Sequence, residues 1–414
     1  MTKDMTQGSP LKLILAFAVP LMLGSLFQQF YNLADTIIVG RFVGVEALAA
    51  VGSVGGLNYL VLGFVNGIAC GFSIPISWTF GAKDYKEMRR YTANTVWLSI
   101  LFAVVLTVVT VALTRAVLVW TNTPDNIIDL ADVYIRTIFA GIPLTLLYNV
   151  TSALMRALGD SKRPLFFLLV ASFLNIGLDL ACIILFNMGV FGAAVATGIS
   201  QLVTCISYFV HFFSKKCTFR LCKFRFDPHL YARILPIGLS DGVTELCTGL
   251  MIFLFNRTVL KCIGTDGVVT YTVIAYVTTI VINLMVGISQ GSQPLVSYHY
   301  GKEDHTGCQK LLRYALTTVC IFAPALFLLV FFFAPQIVRT YLSHAGDELI
   351  AYSIGAFRRY SVSYLLLGFN IVIGGVMTAI ERPVPAICIS VGRGLALQSA
   401  VLLLLAAIFG GDAV

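Results

Sequence analysis

The sequence predicts an all-α polytopic membrane protein built from two six-helix lobes arranged as parallel repeats. Three observations predict it. The 414-residue chain is 58% hydrophobic and only 12% charged, with a mean hydropathy of +0.88, whereas soluble domains carry about 25% charged residues. Charge-free windows long enough to cross a bilayer recur along it. A pattern of glycines and polar residues returns at a constant offset in the second half.

The windows define the elements in order. Leu13–Ala34, Ala47–Ala82, Tyr91–Thr114, Thr137–Met155, Tyr314–Val338, Tyr360–Ile380 and Gly394–Gly411 lack charge, and each reaches the ~18–20 residues a spanning helix needs. Leu180–Ser214 and Gly267–Gly301 are longer than one span. Eleven spans result, over 12–38, 47–80, 91–117, 127–156, 164–186, 190–214, 231–260, 267–299, 309–338, 348–379 and 384–409. The first eleven residues are polar and the apolar run from Leu13 is too long for a secretory leader, so none is expected. The basic string KKCTFRLCKFRFDPH separates a first lobe, 1–214, from a second, 231–414, through a linker over 215–230. The chain stops at FGGDAV, where a loop to a twelfth helix would begin, so the second lobe is expected to be truncated or to lack that helix.

The net charge of +8 is a topology signal and not a nucleic-acid footprint. Lys83, Lys86, Arg89 and Arg90 follow the second span, Arg156, Lys162 and Arg163 the fourth. Lys215, Lys216, Arg220, Lys223 and Arg225 follow the sixth, and Lys302, Lys310 and Arg313 the eighth. The intervening loops are poor in Lys and Arg. By the positive-inside rule the N-terminus and these basic loops are cytoplasmic. Cys217 and Cys222 then face the cytoplasm, and Cys262 lies near the outside. The ten cysteines form no CxxC; Cys70, Cys182, Cys205, Cys247, Cys320 and Cys388 sit in apolar stretches and read as small buried hydrophobes.

The repeat is explicit. Gly67, Gly71, Ser77, Gly81 and Asp84 recur 220 positions on as Gly287, Gly291, Ser297, Gly301 and Asp304, and Gly44 recurs as Gly264. Pro20 in the first span has a counterpart in Pro236 of the seventh. Six helices per half carry both halves into the membrane in the same sense, which makes them parallel repeats about an axis along the membrane normal, a recurrent transporter plan.

Polar residues inside the spans carry the functional reading. Asp179 lies near the middle of ASFLNIGLDLACIILF, where an unpaired carboxylate costs several kcal/mol. Asn175 precedes it by four residues on the same helical face. The next helix opens VFGAAVATGIS, whose small residues permit close approach and which carries Thr197. A carboxylate, an amide oxygen and a hydroxyl can converge there, a set of oxygens suited to Na⁺, while a buried carboxylate suits H⁺. Asp35 ends the first span, with Tyr31 and Asn32 beside it. Asp241 and Glu245, four apart on the seventh span, share a face toward the centre, Glu245 the deeper of the two. Pro20 and Pro236 each remove a backbone hydrogen bond within a span and are read as hinges. GxSxG, HExxH, Walker A and Gly-rich dinucleotide motifs are absent from the sequence, so enzymatic chemistry has no visible seat.

The strings SPLKLILAFAVPLMLGSLFQQFYNLADTIIVGRFVGVEALAAVG, GAKDYKEMRRYTANTV, ALMRALGDSKRP, VFGAAVATGISQ and ISQGSQPLVSYHYG resemble the multidrug and toxic compound extrusion (MATE) family, in family order over essentially the whole chain. The resemblance is nearest to its bacterial branch with a cation site in the N-terminal half. It implies twelve helices in two lobes around a cavity, and export of cationic or amphipathic drugs by alternating access in exchange for Na⁺ or H⁺. It implies a multi-pass protein of a bacterial cytoplasmic membrane, acting as a monomer among lipid, with no cofactor and no nucleic-acid partner. Asp35, Asn175, Asp179 and Thr197 match the family's cation-coupling residues, the candidate Na⁺ ligands, and Glu245 resembles the acidic residue that other branches use on the seventh helix, with Asp241 beside it as a second-lobe candidate. Aromatic and Met side chains are expected to line the drug cavity. A lipid-linked oligosaccharide flippase shares the architecture but requires a strongly cationic cavity, for which Arg136, Arg358, Arg359 and Arg393 are the candidates; a receptor or channel without coupled transport is the other alternative.

Overall fold

The computed structural model describes residues 8–121, 123–213, 225–342 and 346–409. Most of the basic linker, with Lys215, Lys216, Cys217, Arg220, Cys222 and Lys223, and the FGGDAV end beyond Phe409 lie outside the described residues. Fifteen α-helices run in order: α1 Pro10–Phe42, α2 Val45–Phe72, α3 Ile74–Gly81, α4 Tyr85–Trp120, α5 Ile128–Ala140, α6 Ile142–Ala157, α7 Lys162–Leu180, α8 Gly189–Phe213, α9 Pro228–Cys262, α10 Thr265–Gly301, α11 His305–Tyr341, α12 Asp347–Ser361, α13 Tyr364–Ala379, α14 Pro383–Val391 and α15 Gln398–Phe409. Nine stretches are long and apolar enough to cross a membrane, and two bent pairs bring the number of spans among the described residues to eleven. No strand occurs among them. The protein is an all-α polytopic membrane protein.

The fourth and tenth spans read from the sequence are each a bent pair of helices. α5 and α6 meet at 44°, α12 and α13 at 40°. At the first break Gly141 precedes Pro143, which cannot donate to the preceding turn. At the second, no proline stands. Ser361 instead turns its hydroxyl onto the carbonyl of Arg358 at 2.7 Å, competing locally for a backbone acceptor. The linker also ends sooner than expected, because Pro228 already opens α9 with Asp227 as its cap.

Two wide, π-helical turns were not foreseen. One, Ala181–Leu185, continues α7 directly after Asp179 and Leu180. The other, Gly392–Leu397, joins α14 to α15 and contains Arg393. Such turns insert a residue into the helical ladder and are frequent at functional sites.

The repeat survives as geometry. Lys83 and Glu303 both adopt left-handed backbone, φ 58° and 59°, and each precedes an aspartate cap: Asp84 accepts from the Glu87 amide at 2.9 Å and Asp304 from the Gly307 amide at 2.8 Å. α2 packs on α9 and α10 on α1. A Cβ at Gly71 would fall 2.6 Å from Gly238 Cα, and one at Gly291 2.8 Å from the Ala18 nitrogen, so equivalent glycines admit equivalent partner backbones. Ser77 donates to the Pro294 carbonyl at 2.8 Å, and Ser297 returns the bond to Ile74 at 3.0 Å. This packing pairs Ala18 with Gly238, which puts Pro20 and Pro236 one helical turn out of register. They are neighbours in plan and not strict counterparts, and both lie inside continuous helices.

The end carrying the basic loops holds further contacts between the halves. Arg90 on α4 bridges Glu87 at 2.9 Å and Asp227 across the halves at 2.8 Å. Arg233 on α9 pairs with Glu381, reaches the Tyr91 hydroxyl at 3.2 Å and lies 4.4 Å over the Trp78 ring. Burial pushes the Glu381 carboxyl upward, opposed by Arg233. Toward the other end Trp120 stacks on Phe253 across the halves, but Gly52, Gly55 and Gly56 of α2 meet nothing within 4 Å. Cys70, Cys182, Cys205 and Cys247 are buried, whereas Cys320 and Cys388 are exposed on the helix perimeter, where an apolar thiol suits lipid as well as it suits a core. Cys262 ends α9 opposite the basic end.

Candidate functional site

Two polar sites lie within the helices, one in each half. In the first, α7 brings Asn175 and Asp179 onto one face, fully interior at 2% and 0% exposure. α8 runs back antiparallel after a turn that uses positive φ at Asn187 and Gly189. Its Gly192 approaches the wide turn so closely that a Cβ would stand 3.1 Å from that of Cys182. That approach carries Thr197 to Asn175, whose amide nitrogen donates to the Thr197 hydroxyl at 3.3 Å, while Thr197 donates to the Ala193 carbonyl at 3.2 Å.

What this arrangement leaves unpaired is informative. Both carboxylate oxygens of Asp179, the amide oxygen of Asn175 and one carboxylate oxygen of Asp35 are buried with no hydrogen-bond donor. Asp35, from α1, is close enough for its charge to act on Asp179. Tyr31 and Tyr134 stand within charge range of both. The structure therefore brings Asp35, Asn175, Asp179 and Thr197 to one locality. Asn32, the other polar neighbour read from the sequence, is exposed instead. Tyr134 was missed, since nothing in ADVYIRT separates it from an ordinary interfacial tyrosine. Buried acceptors without donors cost about 1–3 kcal/mol each; four together are chemically able to accept a cation or a proton. Na⁺ or H⁺ would be cargo here, and no cluster of three His, Cys, Asp or Glu side chains occurs among the described residues.

The second site is a small open pocket lined mainly by the second half, with Gly67 of α2 in the first half also at its wall. Asp241 and Glu245 from α9 line it, with Gln293 from α10, Asn370 from α13, Ser390 from α14 and Arg393 from the wide turn. Asp241 is satisfied: Thr378 donates to one oxygen at 3.0 Å and Gln293 to the other at 3.3 Å. Amide, hydroxyl and glycine groups dominate the lining, not the aromatic and Met side chains expected of a drug site. Gln290 and Gln293 were legible in principle, because they replace Cys70 and Ser73 of the first repeat. Of the four arginines considered for a cationic cavity, Arg393 alone lines this one. Arg136 pairs with Asp132, Arg358 binds the Phe331 carbonyl and ring, and Arg359 bonds Gly355.

Comparison with known proteins agrees with this architecture. Residues 20–181 and 242–400 match the family model described as MatE. The chain is 27% identical over 375 residues to a probable multidrug resistance protein, YoeA, of Bacillus subtilis, covering 88% of this chain and 80% of that protein. It is 21% identical over 378 residues to the multidrug export protein MepA of Staphylococcus saprophyticus, covering 90% and 82%. Among solved structures, an outward-facing multidrug resistance MATE family transporter of the MOP superfamily superposes with a TM-score of 0.92 at 24% identity, over 100% of this chain and 93% of that one.

Proposed function

We propose that this chain, which belongs to the MatE family and is a secondary transporter rather than an enzyme, exports cationic or amphipathic drugs in exchange for Na⁺ or H⁺ by alternating access. Similarity to the probable multidrug resistance protein YoeA and the multidrug export protein MepA supports the drug-export half of this reading. One observation supports the coupling half: the donorless oxygens of Asp179, Asn175 and Asp35, gathered in the interior. A cation held by them and absent from the alternative conformer shifts the balance between conformers by its differential affinity. Thr197 sets the orientation of Asn175. Asp241 and Glu245 serve the second lobe.

The positive-inside distribution supports placing the basic end and the N-terminus in the cytoplasm of a bacterium. The reciprocal Ser77 and Ser297 bonds and the Arg90 and Arg233 pairs then close the cytoplasmic face, and the cycle must part them. Pro20 and Pro236, lacking a backbone donor within long helices, are the hinges for that movement. The protein works as a monomer in lipid and needs no cofactor. Drug efflux from proteoliposomes under imposed Na⁺ and H⁺ gradients tests the reading: one gradient is expected to drive efflux, and efflux indifferent to both would refute coupling. Pro20→Ala should slow transport more than it lowers thermal stability.

A further inference from the structure

Arg156, near the end of α6, is a buried cation without a carboxylate paired to it among the described residues. It is 8% exposed. Its guanidinium donates to the Ser152 hydroxyl at 2.7 Å and reaches the Cys70 sulfur at 3.6 Å, and both partners are neutral. The next acid along the chain, Asp160, is held by Arg163 at 3.0 Å, which also meets the His211 ring at 2.9 Å. The Tyr208 hydroxyl of α8 stands beside Ser152 and within charge range of Arg156. Tyr208 is wholly buried, and no hydrogen bond forms at its hydroxyl. A guanidinium and two hydroxyls are thus gathered in the interior of the first half.

The other half shows what meets a donor at this place. The Asp160 amide bonds the Met155 carbonyl at 3.0 Å and the Arg382 amide bonds the Met377 carbonyl at 2.9 Å. Gly159 and Glu381, just before those amides, both take left-handed backbone, φ 91° and 57°. These matched turns make Thr378 the counterpart of Arg156. Thr378 donates to the carboxylate of Asp241 at 3.0 Å. Leu21 stands opposite Asp241 in the first half, so the stronger donor has no anion from its own half. A buried carboxylate can take up a proton, but a guanidinium cannot shed one, and a buried charge without a partner is costly. We propose that Arg156, Ser152 and Tyr208 form a binding site for a small monovalent anion of the halide class. One guanidinium calls for one negative charge, and a spherical ion accepts from donors in any direction. The site lies behind α2, where Cys70 is within charge range of Arg156 and also of Asp241 and Glu245. A Cβ at Gly67 on the same stretch would fall 2.6 Å from the Asp241 carbonyl oxygen. A bound anion therefore screens Arg156 from the carboxylates of the other half where the two halves meet.

The test uses the purified full chain with chloride alone as the probe, gluconate replacing it at constant ionic strength. The melting temperature should rise with chloride and level off, and radioactive chloride should bind saturably. Tyr208→Phe removes only a hydroxyl, so the half-saturating chloride concentration should rise about fivefold. Arg156→Gln should abolish both the saturable binding and the chloride-dependent shift in melting. Arg156→Lys, which keeps the charge but not the planar fork of donors, should retain both in weakened form. Should Arg156→Gln fail to fold, Tyr208→Phe still decides. Equal melting in chloride and gluconate, with no saturable chloride bound by the wild type, overturns the site. Wild-type chloride affinity in Tyr208→Phe or in Arg156→Gln overturns it too, by putting the ion elsewhere. The drug-export reading stands or falls separately, since none of these measurements uses a drug.

Discussion

The two halves share a scaffold and differ in chemistry. Gly71 and Gly291, Ser77 and Ser297, and the caps Asp84 and Asp304 occupy equivalent places with equivalent partners. The buried charges do not. At the 220-residue offset Asp35 falls opposite Phe255, and Asp241 and Glu245 fall opposite Leu21 and Ser25. The first site presents acceptors with nothing donated to them; the second supplies its aspartate with two donors and adds Arg393, whose Nε has no acceptor among the described residues. Backbone packing between the halves is symmetric, while the two interiors differ.

The largest expected effect separates the two carboxylates most sharply. Asp179→Asn keeps shape and removes the charge from a place with no donors, so gradient-driven efflux should fall to the uncoupled background while the melting temperature holds or rises. Asp241→Asn should do the reverse. It sets an amide donor against Gln293 or Thr378, and about 1–3 kcal/mol of stability should be lost, seen as a lower melting temperature in detergent. If both variants lose efflux and neither loses stability, the two sites are alike and the contrast is wrong. Asp35→Asn should resemble Asp179→Asn.

Neutral members of the first site rank next. Asn175→Ala and Thr197→Ala each remove one neutral ligand, whose hydrogen bond is worth about 1 kcal/mol. The concentration of the coupling ion needed for half-maximal efflux should rise about fivefold in each. An unchanged ion dependence in both would reduce that pair to helix packing.

Much of this was legible beforehand, for physical reasons. A bilayer forbids unsatisfied backbone, so apolar length alone marked the spans. Asn175, Asp179 and Thr197 were found because a short turn forces α7 and α8 to be neighbours. Arg393 escaped because its place depends on a wide turn, and nothing in VGRGLAL distinguishes a π-helical turn from an α-helical one. The breaks in spans four and ten show the same limit: Gly141 and Pro143 advertised one, while Ser361 acts through a hydroxyl bond that many helices tolerate without bending. The register of Pro20 against Pro236 escaped as well, since only backbone approach at Gly238 and Gly291 reveals it.

The smallest effect concerns the symmetric part of the comparison. Asp84→Ala and Asp304→Ala each remove a helix cap, and each should lower stability by about 1 kcal/mol without altering ion coupling. Asp304 should matter somewhat more, because it also accepts from Thr306 at 2.8 Å and meets the His299 ring at 2.8 Å. Those bonds, the Gly307 amide first, hold its carboxyl down from 3.8 to about 2. A depressed carboxyl stabilises the folded chain fully above its unfolded value and loses that contribution as pH falls through its folded one. The difference between wild type and Asp304→Ala should therefore be constant from about pH 5 to 8 and shrink between about pH 4 and 2. Thermal unfolding across that range checks it. A difference that grows on acidification would mean that the caps, like the interiors, have diverged.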